Sequence, residues 1–408
     1  MKHKLIIMVS APLTKRWAAN FCTDELSQRF DLEYWDCSSV VYPPFKGEAL
    51  ERDYVRKPAT MDEFKAMLCA LPKDTLIVSD IHLVKQNYAF HRYMSRQFRN
   101  RIYVNFWSNI ASDMDNADVQ STATEKKSLK QRIYQIGWLQ VLVKFIRFGG
   151  GERFRQFYAM HKEIERCEKA IQEEKDCENL YTNHIITCLP HQKYTINHPD
   201  YEKYLLLKDG KRLIEEPFIV FIDEFYPYHP DFKEINPDMD CDKLAKIYYR
   251  SMNHFFDEVE ERTGMKVVIA AHPIADYTNN PYNGRALYQY KTAELVRDCE
   301  CVCMHNSFCV SFVALFDKPV CFVVNEAIKG SDIGYKGVCA LANKMHMPVT
   351  DSDRIDETKD VFAKLPKDRR EIYINRFFDT SIKQCNADLF EQYLNQIYEE
   401  IQESRNKQ

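Results

Sequence analysis

The chain has 408 residues and a formal net charge of -4; 45% are hydrophobic, 24 are Tyr, 25 are Phe and only 11 are Gly. That length suits two domains with a core each, and the apolar and aromatic content excludes a disordered chain. The charge balance speaks against a dedicated nucleic-acid binder. Neither GxGxxG nor GxxxxGKS/T occurs, so the glycine-rich loops of common dehydrogenases and P-loop NTPases are missing.

Residues 4–10 (KLIIMVS) form a short run rich in Ile, ending at Ala11-Pro12, which reads as a buried strand and a loop. The run is too short for the core of a secretory signal. The expectation is therefore a cytoplasmic chain whose 14 Cys stay reduced. A helical stretch follows at 14–29, then strands at 32–37, at 76–79 (closed by Asp80) and at 102–106. Strands separated by helical stretches predict βαβ units and a parallel sheet.

Residues 126–155 hold eight Lys or Arg and one acidic residue, interleaved with Ile133, Trp138, Leu142 and Phe145. Two readings stand side by side: a helix packed on the domain with a solvated basic face, or an interfacial helix on anionic lipid or an anionic substrate. The second reading would make the protein peripheral on a membrane. No apolar run reaches the roughly 18–20 residues of a membrane span.

Residues 208–217 (KDGKRLIEEP) are polar and punctuated by Gly and Pro, as a linker would be. A second α/β unit follows: strands at 218–223, 266–271, 299–304 and 320–324, and helices at 241–263 (capped by Gly264), 286–297 and 307–316. The tail from 369 to 403 reads as helical. Alternating Cys299, Cys301 and Cys303 lack metal-site spacing and suit one face of a strand. The expected architecture is two Rossmann-like α/β domains facing a central cleft, spanning 1–207 and 218–368, followed by C-terminal helices at 369–408.

Ligands of open α/β sheets bind beyond the carboxyl ends of the strands, so residues that follow strands matter most. His272-Pro273 ends the strand KVVIAA, because proline holds the preceding residue extended. His305-Asn306-Ser307 follows the next strand. Ser307 at a helix start, with Ser311 one turn on, would make an anion site without glycine. An ordinary cap and a helix-interior serine explain the same pair. Asp80, Asp113 and Asp200 are the candidate bases, with Asp80 favoured because it follows a strand directly. Ser10 and Thr14 would line the acceptor side. Asp223 and Glu224, at the end of the second unit's first strand, are placed to bond donor hydroxyls; His229 reads as part of a turn.

The segments AAHP (270–273), HNSFCVSFVALFDKPV (305–320) and, more loosely, FIDEFYPYHPDF (221–232) resemble the nucleotide-binding half of GT-B glycosyltransferases that build bacterial surface polysaccharides. The nearest resemblance is to sialyltransferase-like, polysialyltransferase-like and Kdo-transferase-like enzymes with a His-Pro motif and a later serine motif. The resemblance implies a nucleotide-sugar donor, first a CMP-linked acidic sugar, and a glycan or lipid-linked acceptor. It implies no metal and no cofactor besides that co-substrate. His272, with Pro273, would face the donor phosphate, and His305, Asn306, Ser307 and Ser311 would hold it. Ser307 is followed by Phe308, where the family often has a second hydroxyl residue. Three alternatives stay open: a CDP-glycerol-type transferase, a sugar-nucleotide 2-epimerase, and a non-catalytic subunit of a polysaccharide assembly complex. The oligomeric state is left open.

Overall fold

The computed structural model describes residues 2–42, 48–81, 85–97, 101–105, 184–187, 193–230, 239–358 and 360–406. Asp113 and the basic segment 126–155 lie outside them.

The first sheet holds β1 (Lys4–Val9), β2 (Asp31–Asp36), β3 (Val55–Arg56), β4 (Leu76–Ser79), β5 (Arg101–Asn105), β6 (His184–Thr187) and β7 (Lys193–Thr195). Its order is β3-β2-β1-β4-β5-β6-β7, parallel through β5 and antiparallel at β6 and β7. β1 shows why the run is apolar without alternation. Leu5, Ile7 and Val9 enter one core with helices Lys15–Phe21 and Thr23–Arg29, while Ile6 and Met8 enter another with helices Met61–Cys69 and Tyr88–Gln97. A parallel strand covered on both faces has no polar side. The expected single helix at 14–29 is two helices. Cys22 stands between them in the left-handed conformation (φ 49°), which interrupts the hydrogen-bond ladder.

The second sheet holds β8 (Phe218–Ile222), β9 (Lys266–Ala271), β10 (Leu287–Gln289), β11 (Cys301–Met304), β12 (Val320–Val324) and β13 (Val349–Asp351). Its order is β10-β9-β8-β11-β12-β13, parallel throughout. Helix Cys241–Thr263 runs as expected. Asp240 accepts from Lys243 N at 3.0 Å at its start, and Gly264 (φ 70°) ends it. Its buried face is Tyr248, Met252, Phe255, Phe256 and Val259, at helical spacing. Each such side chain contributes about 1.5–3 kcal/mol of burial.

Two expectations need correction here. Residues 286–297 form β10 followed by helix Thr292–Asp298, because Leu287 to Gln289 pair with β9 at the sheet edge. The helix expected from Ser307 begins at Val310. The tail is helical as expected, in two helices, Lys367–Phe377 and Asn386–Asn406.

The chain crosses between the two cores twice. Helix Pro199–Leu207 puts Tyr201 into the second core, although it precedes the linker in sequence. Helix Asn386–Asn406 returns to the first core, burying Leu389, Phe390, Leu394, Ile397 and Ile401 against the β1 side. The crossings are tied together where they pass. Asn197 N donates to Asn386 Oδ1 at 2.8 Å, Asn386 Nδ2 donates to Asn197 O at 3.0 Å, and Glu202 accepts from Asn197 Nδ2 and from Asn386 N. Residues 208–217 are neither helix nor strand, yet they are pinned to the second unit. Arg212 donates to Asp298 O at 2.7 Å, and Leu213 N to Asp298 Oδ2 at 2.6 Å. Among the described residues no helix is long and apolar enough to cross a membrane.

Candidate functional site

Both sheets reverse their strand order at the first strand of each unit, between β1 and β4 and between β8 and β11. The crevice outside the carboxyl ends at such a reversal is where open α/β sheets take ligands.

In the first unit, β1 runs into Ser10, which is buried, and then to Thr14. Thr14 accepts from Trp17 N at 3.3 Å and so caps the helix that begins at Lys15. β4 ends in Asp80, whose backbone N–H donates to Met8 O at 3.0 Å, setting the carboxyl at the reversal point. Burial pushes that carboxyl up to about 8, with the charge of Arg16 opposing the shift.

In the second unit, β8 ends in Asp223 and Glu224. Asp223 accepts from Phe225 N at 2.8 Å and from the Tyr277 hydroxyl, and burial raises it to about 6. The backbone N–H of Asn306, after β11, favours the charged form of the Glu224 carboxyl across the reversal. Burial, and then the neighbouring charge of Asp223, raises it to about 8. Glu224 Oε1 and Asn306 Oδ1 are buried with no partner among the described residues. The Asn306 side chain lies against Gly337, where a Cβ would come within 2.5 Å of its Nδ2, so that close approach requires glycine.

β9 ends at Ala271, and His272-Pro273 opens a turn, as proline dictates. His272 Nδ1 accepts from Ile274 N at 3.3 Å, which assigns the neutral ring's proton to Nε2. The His272 ring meets His229 edge-on with centroids 5.2 Å apart, so His229 belongs to the surroundings of this turn. The turn is buttressed from β10. Gln289 Nε2 donates to His272 O at 3.3 Å and to Ala275 O at 2.9 Å, and the Tyr290 hydroxyl donates to Pro273 O at 3.3 Å.

Several sequence candidates are taken up elsewhere. His305 is 1% exposed. Its Nδ1 lies 2.6 Å from Val323 O and its Nε2 2.8 Å from the Tyr248 hydroxyl, and burial lowers it to about 4. It is a neutral core histidine with both nitrogens occupied, not a phosphate ligand. Ser311 is fully buried and bonds the Asp200 carboxylate and Phe308 O. That pair fastens helix Pro199–Leu207 to helix Val310–Phe316, which takes Ser311 away from a phosphate and Asp200 away from an acceptor. Ser307 Oγ accepts from Cys309 N at 3.3 Å, inside the turn that precedes the helix.

Two residues that sequence reasoning did not single out touch across the two units. Lys15 Nζ stands 4.4 Å from the centre of the Tyr290 ring. Lys15 follows the β1 loop and Tyr290 follows β10, so the carboxyl edges of the two sheets face each other there. Lys15 looked like any charged helix start, and Tyr290 fell inside an expected helix; neither carried a signal in sequence.

No protein-family model matches the chain, and no curated protein matches it either. Among solved structures it is similar to the glycotransferase of kitacinnamycin, at 10% identity over 98% of this chain and 96% of that one, with a TM-score of 0.32. It is also similar to the spinosyn forosaminyltransferase SpnP, at 12% identity over 100% and 99%, with a TM-score of 0.35. Likenesses of that size leave the function to the chain's own residues.

Proposed function

We propose that the protein is a glycosyltransferase that moves a sugar from a nucleotide donor to an acceptor hydroxyl between the two units. The observation that carries this reading is the meeting of two doubly wound sheets at their carboxyl edges. Asp80 stands at the reversal point of one sheet, and the His272 turn and the Glu224–Asn306 pair stand at the edge of the other. In this reading Asp80 takes the proton of the acceptor hydroxyl, and that oxygen forms the new bond to the anomeric carbon. The bond from that carbon to the donor phosphate breaks, and the phosphate leaves with the electron pair. His272, Asn306 and Ser307 receive that charge, while Asp223 and Glu224 bond donor hydroxyls. A carboxyl held near 8 is suited to accept a proton close to neutral pH.

The His-Pro and serine segments support a cytidine nucleotide donor with an acidic sugar, and a glycan or lipid-linked acceptor. The test is a thermal-shift panel of CMP, CDP, UDP and GDP. Ligand at about 100 times its Kd stabilises the folded chain by about 2.7 kcal/mol. Selective stabilisation by CMP is expected; selective stabilisation by UDP or GDP would move the donor assignment. In a transfer assay His272→Ala should lose at least about a hundredfold in rate with the fold intact. Full turnover by that variant would remove His272 from the site. Binding without any turnover in the wild type would favour a non-catalytic subunit.

A further inference from the structure

Tyr290 has a backbone that an aromatic residue seldom adopts. Its φ is 60°, in the left-handed region where a bulky side chain is crowded by its own backbone. Such strain persists only where surrounding contacts over-determine it, and it gathers at clamps and binding sites. Two contacts here do so. The hydroxyl donates to Pro273 O at 3.3 Å, on the turn that carries His272. The ring face receives Lys15 Nζ from the other unit at 4.4 Å. The preceding residue, Gln289, donates to His272 O and Ala275 O from the same strand end. Tyr290 is 38% exposed, so the contact lies at the rim and not in a core.

We propose that Lys15 and Tyr290 form a clasp across the cleft that holds the His272 turn in its geometry, with Tyr290 as a positioning residue. When the units close, the ammonium settles on the ring and fixes it, and the ring's hydroxyl fixes Pro273 O. When they part, the strained Tyr290 loses one of its two restraints and the turn relaxes. Cleft closure and His272 placement thereby become one event. The clasp is an exposed cation–π contact, so it biases the closed state only about two- to fivefold, weak enough to open in each cycle. The catalytic meaning of the clasp rests on the proposed function; its existence does not.

The experiment uses the full chain with ring-15N histidine and no ligand. The His272 signals are assigned by their loss in His272→Gln, and buried His305 serves as the internal reference. Lys15→Ala should shift the His272 ring signals and leave those of His305 in place. Lys15→Arg should restore them, since a guanidinium also stacks on an aromatic face. Tyr290→Phe keeps the ring under Lys15 but loses the bond to Pro273 O, and should shift His272 as Lys15→Ala does. Unchanged His272 signals in Lys15→Ala overturn the proposal. So does an equal shift of His305, or a failure of Lys15→Arg to restore the wild-type spectrum. If these shifts occur and no nucleotide in the thermal panel binds, the clasp stands and the transferase reading falls.

Discussion

Asp80, Asp223 and Glu224 share one physical circumstance: burial raises each carboxyl above its ordinary range, to about 8, 6 and 8. The folded chain then holds these protons more tightly than the unfolded chain does. The stability they contribute is complete below about pH 4. It is lost as pH rises, through about 6 for Asp223 and about 8 for the other two. Asp80→Asn should therefore match the wild type in urea unfolding near pH 4 and exceed it by about 1–3 kcal/mol above pH 8. A difference that does not vary with pH would count against the raised carboxyl. In a transfer assay the wild-type rate should climb with pH towards about 8, and Asp80→Asn should lose that limb along with about 10²–10⁴-fold in rate. At this scale His272 was legible, because a His-Pro pair after a buried run fixes a strand end by local sterics. His305 was not. Its own neighbours look as polar as a site should, and only Tyr248 and Val323, brought in from a helix and another strand, make it a core residue.

Elements were legible where capping and periodicity agreed. Helix Cys241–Thr263 has an Asp cap, a continuous apolar face and a left-handed glycine stop. Gly264→Ala should cost about 1–2 kcal/mol in chemical unfolding, although nothing lies within 4 Å of the added methyl, because the cost is in the backbone. No loss of stability there would argue that the helix end readjusts. The misread elements are those whose state is set by a neighbour. β10 is three residues long and is a strand through pairing with β9, which outweighs the helical periodicity of 286–297. Cys22 in the left-handed region is held by the packing of two helices into one core, and no local residue preference announces it.

For the whole molecule, the return of the last helix is the decisive connection. Leu394 is fully buried in the core of the first unit, some 390 residues from β1 in sequence order. Leu394→Ala should cost about 2–5 kcal/mol, and the loss should appear as earlier unfolding of the first unit. Asn386→Ala removes both reciprocal side-chain bonds between the crossings and leaves Asn197 N and Asn197 O without those partners, while the backbone N–H of residue 386 still reaches Glu202; about 1–3 kcal/mol is expected. If hydrogen exchange in β1 is unchanged by Leu394→Ala, the helix does not serve the first core.

The sequence alone determined that there are two α/β units, where most buried strands begin and end, and that His272 and Asp80 stand at strand ends. Those features follow from short-range causes: runs of apolar side chains, proline sterics, caps and glycine. Eleven glycines excluded the glycine-rich phosphate loops and left room for an edge built from His, Asn and carboxylates. The tertiary structure decided the rest: the two strand orders that reverse at β1 and β8, the exchange of helices between the cores, and the withdrawal of His305, Ser311 and Asp200 into internal bonds. It also set Tyr290 of one unit against Lys15 of the other. Burial and long-range pairing are properties of the neighbours a residue acquires on folding, and a residue's own place in the chain does not state them.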